Sequence, residues 1–280
     1  MFSQALQTLS ELGVQLEADE VSVELPFLAR VLSHVRQLSP ERWQAHRWRI
    51  VSCVELYTKE LRFQAEDVVI YIGNEDGKFS EVLLTAKHIF TPYLSHWPPP
   101  AHLTVIPLGY HGKFPQQPSP PLAERKTHVA FSGQIMDSRR GFVRESLDFL
   151  LALKHHSAIK ALLTFTPRFQ SGLSVEAYGR LMYDTQLALV PWGVAPVTFR
   201  FFEALRAGCI VVTPPLPPYP FLKNFPGIAL PGSWEGLTEA LFAALATDLS
   251  PLQARSQAFY REHCAPSAVA HQMIQALKNA

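Results

Sequence analysis

From residue 127 onward, short apolar runs alternate with longer runs of helical spacing, and that alternation leaves few folds open. "THVAFSG" (127–133), "KALLTF" (160–165), "TQLALVPW" (185–192) and "CIVVT" (209–213) predict strands. Between and after them, 138–154, 173–184, the stretch opening at Thr198, 233–246, 250–263 and 265–280 predict helices. In 138–154 the aliphatic residues Val143, Leu147, Leu150 and Leu151 are expected to form the inward face. Ser174 is placed to open the helix of 173–184. Strands without a polar face, each followed by a helix, imply a parallel sheet covered on both sides. Such sheets take ligands beyond the C-terminal ends of their strands. Here those ends read "SGQ", "FTP", "PWG" and "TPP".

Chemistry concentrates at two of these ends. In "PWGVAPVTFRFFEALRAGCIVVT" (191–213), Arg200 and Glu203 share one helix face at i, i+3, just beyond a buried strand. An Arg and a Glu at that spacing also make an ordinary surface ion pair, but Gly193 before and Gly208 after point to a close backbone approach. After "SGQ", the segment "SRRGFVR" brings Arg139, Arg140 and Arg144 to the start of a helix. Cations there oppose the helix dipole, which favours an anion partner over a plain solvated first turn.

The segment "TFRFFEALRAGCIVV…YPF" resembles the donor-binding signature of exostosin-type glycosyltransferases, the GT47-like group of the GT-B fold. The matching positions are Thr198, Arg200, Glu203, Ala204, Gly208, Cys209, Ile210, Val212, Pro220 and Phe221, with Val211 where the family carries Pro. "VAFSGQIMDSRRGFVRESL" is similar to the family's earlier strand–Gly–Arg–helix segment through Gly133 and Arg139, Arg140 or Arg144. "YDTQLALVPWG", with Gly193, is similar to the strand before the signature. The resemblance covers roughly 127–225. It implies two Rossmann-like domains with a parallel sheet in each, and a nucleotide sugar, UDP-linked, held by the C-terminal one. It implies that Arg200 neutralises the diphosphate, that Glu203 holds the ribose hydroxyls, and that the last helix crosses back onto the N-terminal domain. The donor set expected on this basis is Gly133, Arg139, Arg140, Arg144, Gly193, Thr198, Arg200 and Glu203.

The first half is less regular. A helix is expected over 25–38 and strands over 49–57 and 67–77, while 82–94 and 103–110 contain two more short apolar runs. "PQQPSPPLAERK" (115–126) reads as an exposed linker. The expected organisation is α/β and GT-B-like. A reduced acceptor-side domain spans 1–120, a nucleotide-sugar domain 121–264 and a terminal helix 265–280. An inverting transfer needs a base in the first domain, and the strand ends there offer Glu75, Asp76, His111 and His88.

Composition closes off other classes. The chain has 280 residues, 48% of them hydrophobic, which is enough for a substantial core. A formal net charge of +1, with no basic block, argues against nucleic acid as a partner. Three scattered cysteines and no C-x-x-C argue against a disulfide framework or structural zinc, and for the cytoplasm. The eleven histidines form no chelating pattern. No run nears the roughly 18 apolar residues of a membrane span, and the first twenty residues do not read as a signal peptide. The reading is a metal-independent, cofactor-free, inverting transferase acting on a nucleotide sugar and a glycan or other hydroxyl acceptor. A non-catalytic binding or partner protein that keeps the donor fold is the alternative, and a hydrolase or epimerase acting on the same nucleotide sugar is a third possibility.

Overall fold

A computed structural model of the protein describes residues 2–19, 21–94, 98–168 and 171–279. The chain divides into two compact units. Unit 1 comprises Met1–Gly112, Pro218–Lys223 and Glu262–Ala280, and unit 2 comprises Lys113–Pro217 and Asn224–Arg261.

Unit 1 contains strands β1 (Gln15–Glu17), β2 (Arg47–Ser52), β3 (Asp67–Ile72), β4 (His88–Thr91) and β5 (Leu103–Val105), all parallel and ordered as in the sequence. Helices α1 (Phe2–Glu11), α2 (Leu25–Leu38), α3 (Pro40–Gln44) and α4 (Cys53–Thr58) accompany them. The helix expected over 25–38 is α2, with Pro26 in its first turn, where a missing amide costs nothing. The strand expected over 49–57 is divided. Ser52 Oγ accepts from the amide of Glu55, capping α4 and ending β2. The runs 82–94 and 103–110 shrink to the four residues of β4 and the three of β5.

At the strand starts of this sheet lies a buried charge network. Arg49 donates to Glu17 and, at 3.0 Å, to Asp67; Arg47 also donates to Asp67. The amide of Gln64 reaches the same carboxylate at 2.9 Å. Burial alone would raise the Asp67 pKa, but these donors outweigh it and hold the group below the usual carboxylate range.

Unit 2 holds β6 (Thr127–Gln134), helix α5 (Arg140–Ala152), β7 (Ala161–Thr166), α6 (Val175–Tyr183), β8 (Thr185–Leu189), α7 (Phe199–Arg206), β9 (Ile210–Thr213), β10 (Ile228–Ala229), α8 (Leu237–Leu245) and α9 (Ser250–Phe259). Its parallel sheet runs β10-β9-β8-β6-β7. The chain therefore leaves β6 toward one edge and returns to the other, giving a topological switch point between β6 and β8. Ser174 Oγ accepts from the Ala177 amide and opens α6, as the sequence predicts. The inward stripe of α5 is Phe142, Ser146 and Phe149, whereas Leu147 and Leu151 are about half exposed. Phe142 packs on Phe131, Phe165 and Trp234 in the core.

The proline-rich segment 115–126 does not run free. It belongs to unit 2, where the buried Arg125 donates to the carbonyls of Pro120, Thr185 and Ala207 and to Ser119 Oγ. These bonds fasten the segment to the C-terminal end of α7. Gly208 ends that helix at φ 72°, and an added Cβ would lie 2.1 Å from Ser119 Oγ. The last helix, α10 (Pro266–Lys278), belongs to unit 1 and packs along α2.

Candidate functional site

The switch point of unit 2 gathers most of the predicted donor set. β6 ends at Gly133 and Gln134, and a short turn (Asp137–Arg139) leads into α5. β8 runs on through Pro191, Trp192 and Gly193 to Thr198, which precedes α7. Arg139 is buried. Its Nη1 donates to the Gln134 carbonyl at 2.8 Å and its Nε to the Trp192 carbonyl at 2.6 Å. One guanidinium thus joins the ends of the two strands that flank the switch point.

Arg200 lies across Gly133. A Cβ there would come within 3.0 Å of the Arg200 guanidinium carbon. Gly193 is equally constrained, since a Cβ would sit 2.9 Å from the Thr198 methyl and 3.6 Å from Arg139 Nη2. Arg200 also sits 5.7 Å from the centre of the Tyr178 ring. Gly133 therefore makes room for a cation, and Gly193 for the Thr198 methyl beside Arg139.

These cations stand close together in a partly buried setting. Among the described residues no ion pair of Arg139 or Arg200 is seen. Burial, with repulsion from Arg200 added, pulls the Arg139 pKa down to about 10. Arg200 Nε and Thr198 Oγ1 are buried and bond to no described group. Neither α5 nor α7 has a side-chain cap; the first amide of α5, that of Arg140, donates to the Asp137 carbonyl, and the start of α7 keeps open amides. Two guanidiniums and two uncapped helix starts around two glycines are suited to an anion with several oxygens.

The other predicted residues divide. Glu203 is buried on α7. Arg140 and Arg144 turn outward, to Asp137 at 3.0 Å and Glu145 at 2.8 Å respectively, both largely solvent-exposed. The turn of 137–139 decides this, because it directs only its last residue inward.

In unit 1, Glu75 and Asp76 follow β3 at the C-terminal edge of the sheet, and His111 follows β5. Burial raises the Glu75 pKa, whereas Asp76 is held by Lys78 at 3.0 Å. His88 departs from expectation. It is the first residue of β4, at the opposite end of the sheet, and is 2% exposed. Its Nε2 meets Thr104 Oγ1 at 2.8 Å, and burial, then His102 and Lys87, lower its pKa to about 4. A residue so placed cannot reach an acceptor at the C-terminal edge.

Sequence reasoning missed two groups. Tyr178, whose ring carries Arg200, gave no signal beyond its helical spacing. Glu24, before α2, has its pKa raised by burial and, to a lesser degree, by Glu75. The three-residue β1 that would have marked its loop as a strand end is too short to show a pattern.

No family model matches the sequence, and no curated protein matches it. Among solved structures, a glycosyltransferase from Rickettsia africae ESF-5 superposes with a TM-score of 0.51 at 10% identity, covering 99% of this chain and 93% of that one. A point mutant of S. aureus TarM, solved with fondaparinux, α-GlcNAc-glycerol and UDP, gives 0.53 at 10% identity over 90% of this chain and 58% of that one. The GtfA/B complex gives 0.50 at 11% identity, over 89% and 60%. This chain spans about three fifths of the length of the TarM and GtfA/B chains. The fold is that of the GT-B glycosyltransferases, with two parallel five-stranded sheets.

Proposed function

We propose that the protein transfers a sugar from a nucleoside diphosphate donor, UDP-linked, to a hydroxyl acceptor. The observation that carries this is the close pair of guanidiniums, Arg139 and Arg200, at the switch point of unit 2. The acceptor oxygen attacks the anomeric carbon and the bond from that carbon to the diphosphate oxygen breaks. The acceptor proton passes to a base, and the diphosphate leaves with the bonding pair. Arg139, Arg200 and the amides of α5 and α7 stabilise the charge that develops there, so the chemistry needs no metal. Glu203 takes the ribose diol, in the manner of acidic residues in dinucleotide folds. Unit 1 supplies the acceptor side, with Glu75, Asp76 and His111 as candidate bases for a single inverting displacement. UDP in the TarM complex supports the choice of nucleotide. The likeness of 198–221 to the exostosin signature supports a finer placing within that group. Three unpaired cysteines support a reducing, cytoplasmic location.

Titration of UDP and 2′,3′-dideoxy-UDP into three proteins tests the assignment. Arg200→Ala is expected to lose about tenfold to a hundredfold in affinity for both nucleotides, the value of a charge-assisted hydrogen bond. Glu203→Gln is expected to lose affinity for UDP and to match the unaltered protein with the dideoxy analogue. Equal losses on both nucleotides would remove the ribose role of Glu203. Unchanged UDP affinity in Arg200→Ala would remove the donor site.

A further inference from the structure

Unit 1 has an open groove of about 590 Å³ between α4 and the turn after β3, lined by Cys53, Val54, Tyr57, Gly73, Glu75, Asp76 and Lys78. Its walls differ in character. Val54 and Tyr57, one helical turn apart on α4, are 63% and 61% exposed and give that wall an apolar face. The facing turn carries Glu75, whose carboxylate forms no hydrogen bond or ion pair with any described residue, and Asp76, paired with Lys78. Tyr71 is wholly buried, with Tyr57, Cys53 and Asp76 as neighbours, and Tyr57 stands within hydrogen-bonding reach of its hydroxyl.

We infer that this groove seats a sugar ring, so that the acceptor of the proposed transfer is a carbohydrate rather than a lipid or other aliphatic alcohol. A pyranose presents an apolar face of C–H groups and a rim of hydroxyls. The groove offers the matching pair, with the Tyr57 ring and Val54 for the face and Glu75 and Asp76 as acceptors for the rim. An aliphatic alcohol would leave the Glu75 carboxylate unsatisfied, and a purely polar ligand would leave the two exposed apolar side chains in water. The inference builds on the transfer reading, but the groove's preference can be measured without turnover.

Saturation-transfer NMR on the full chain, with a panel of methyl glycosides and a matched panel of aliphatic alcohols, tests it. At least one glycoside is expected to show contact that Tyr57→Ala abolishes, that Tyr57→Phe keeps, and that Glu75→Gln weakens severalfold. UDP contact in the same samples should be untouched by the Tyr57 changes. Tyr57 is largely exposed, so loss of fold is not expected to obscure the comparison. Aliphatic alcohols binding as well as glycosides, glycoside contact indifferent to Tyr57→Ala, or no glycoside contact at all would each overturn the inference. Glycoside contact without any UDP contact would keep the groove and defeat the donor site instead, so the two failures are distinguishable.

Discussion

The two sheets bury arginines in opposite ways. At the strand starts of unit 1, Arg49 and Arg47 are matched by Glu17 and Asp67, and each carboxylate is itself hydrogen-bonded. At the strand ends of unit 2, Arg139 and Arg200 meet backbone carbonyls, an aromatic ring and each other's repulsion. A buried charge is unfavourable unless it is paired. The first arrangement meets that need within the fold. The second leaves it open, and a fold keeps such an imbalance where a ligand of opposite charge comes and goes.

Breaking the paired set should give the largest effect. Asp67→Ala removes the carboxylate shared by Arg47, Arg49 and the Gln64 amide, leaving the buried Arg49 with Glu17 as its one carboxylate, and is expected to cost about 3–5 kcal/mol of stability. Chemical denaturation of the unaltered and altered proteins measures this. A loss below 1 kcal/mol would mean that the network is not structural and that the comparison fails.

Acid probes the same unit by another route. His88 has a folded pKa of about 4 against an ordinary value of 6.5. The unfolded chain therefore binds the proton more readily. Stability is complete above pH 6.5 and is lost as pH falls toward 4, by roughly 3 kcal/mol in total. Asp67, with its pKa lowered in the fold, acts in the same direction at still lower pH. Melting temperatures from pH 7 to pH 4.5 should fall less steeply in His88→Gln than in the unaltered protein. Identical slopes would refute the His88 assignment.

The smallest effect sharpens the contrast inside unit 2. Arg140→Ala and Arg144→Ala remove exposed pairs, and each is expected to change stability by less than about 1 kcal/mol. UDP affinity should stay within about twofold, the screened remainder of a distant charge. A tenfold loss in either, measured by titration, would show that the exposed arginines belong to the site.

The sequence made unit 2 legible because its strands lack a polar face and its helices are long. It did not show which of three neighbouring arginines turns inward, since that depends on one short turn before α5. It misjudged the inward face of α5 because Ser146 interrupts the buried stripe while exposed leucines imitate one. The carbonyls of Gln134 and Trp192 are invisible to any reading by residue type. In unit 1 the short strands β1, β4 and β5 carry too few residues for a period to emerge. Proline content alone also misread 115–126, where a single buried arginine at its end ties the segment down.

Because α10 packs on α2, unit 1 is finished by residues that the ribosome makes only after the whole of unit 2. About 150 residues separate Gly112 from Pro266, a delay of roughly ten to thirty seconds at ordinary synthesis rates. During that interval α2 has emerged without its covering helix, while unit 2 is being made. The nascent unit 1 is thus exposed to chaperones and proteases for that time, and a premature stop before Pro266 would leave α2 uncovered.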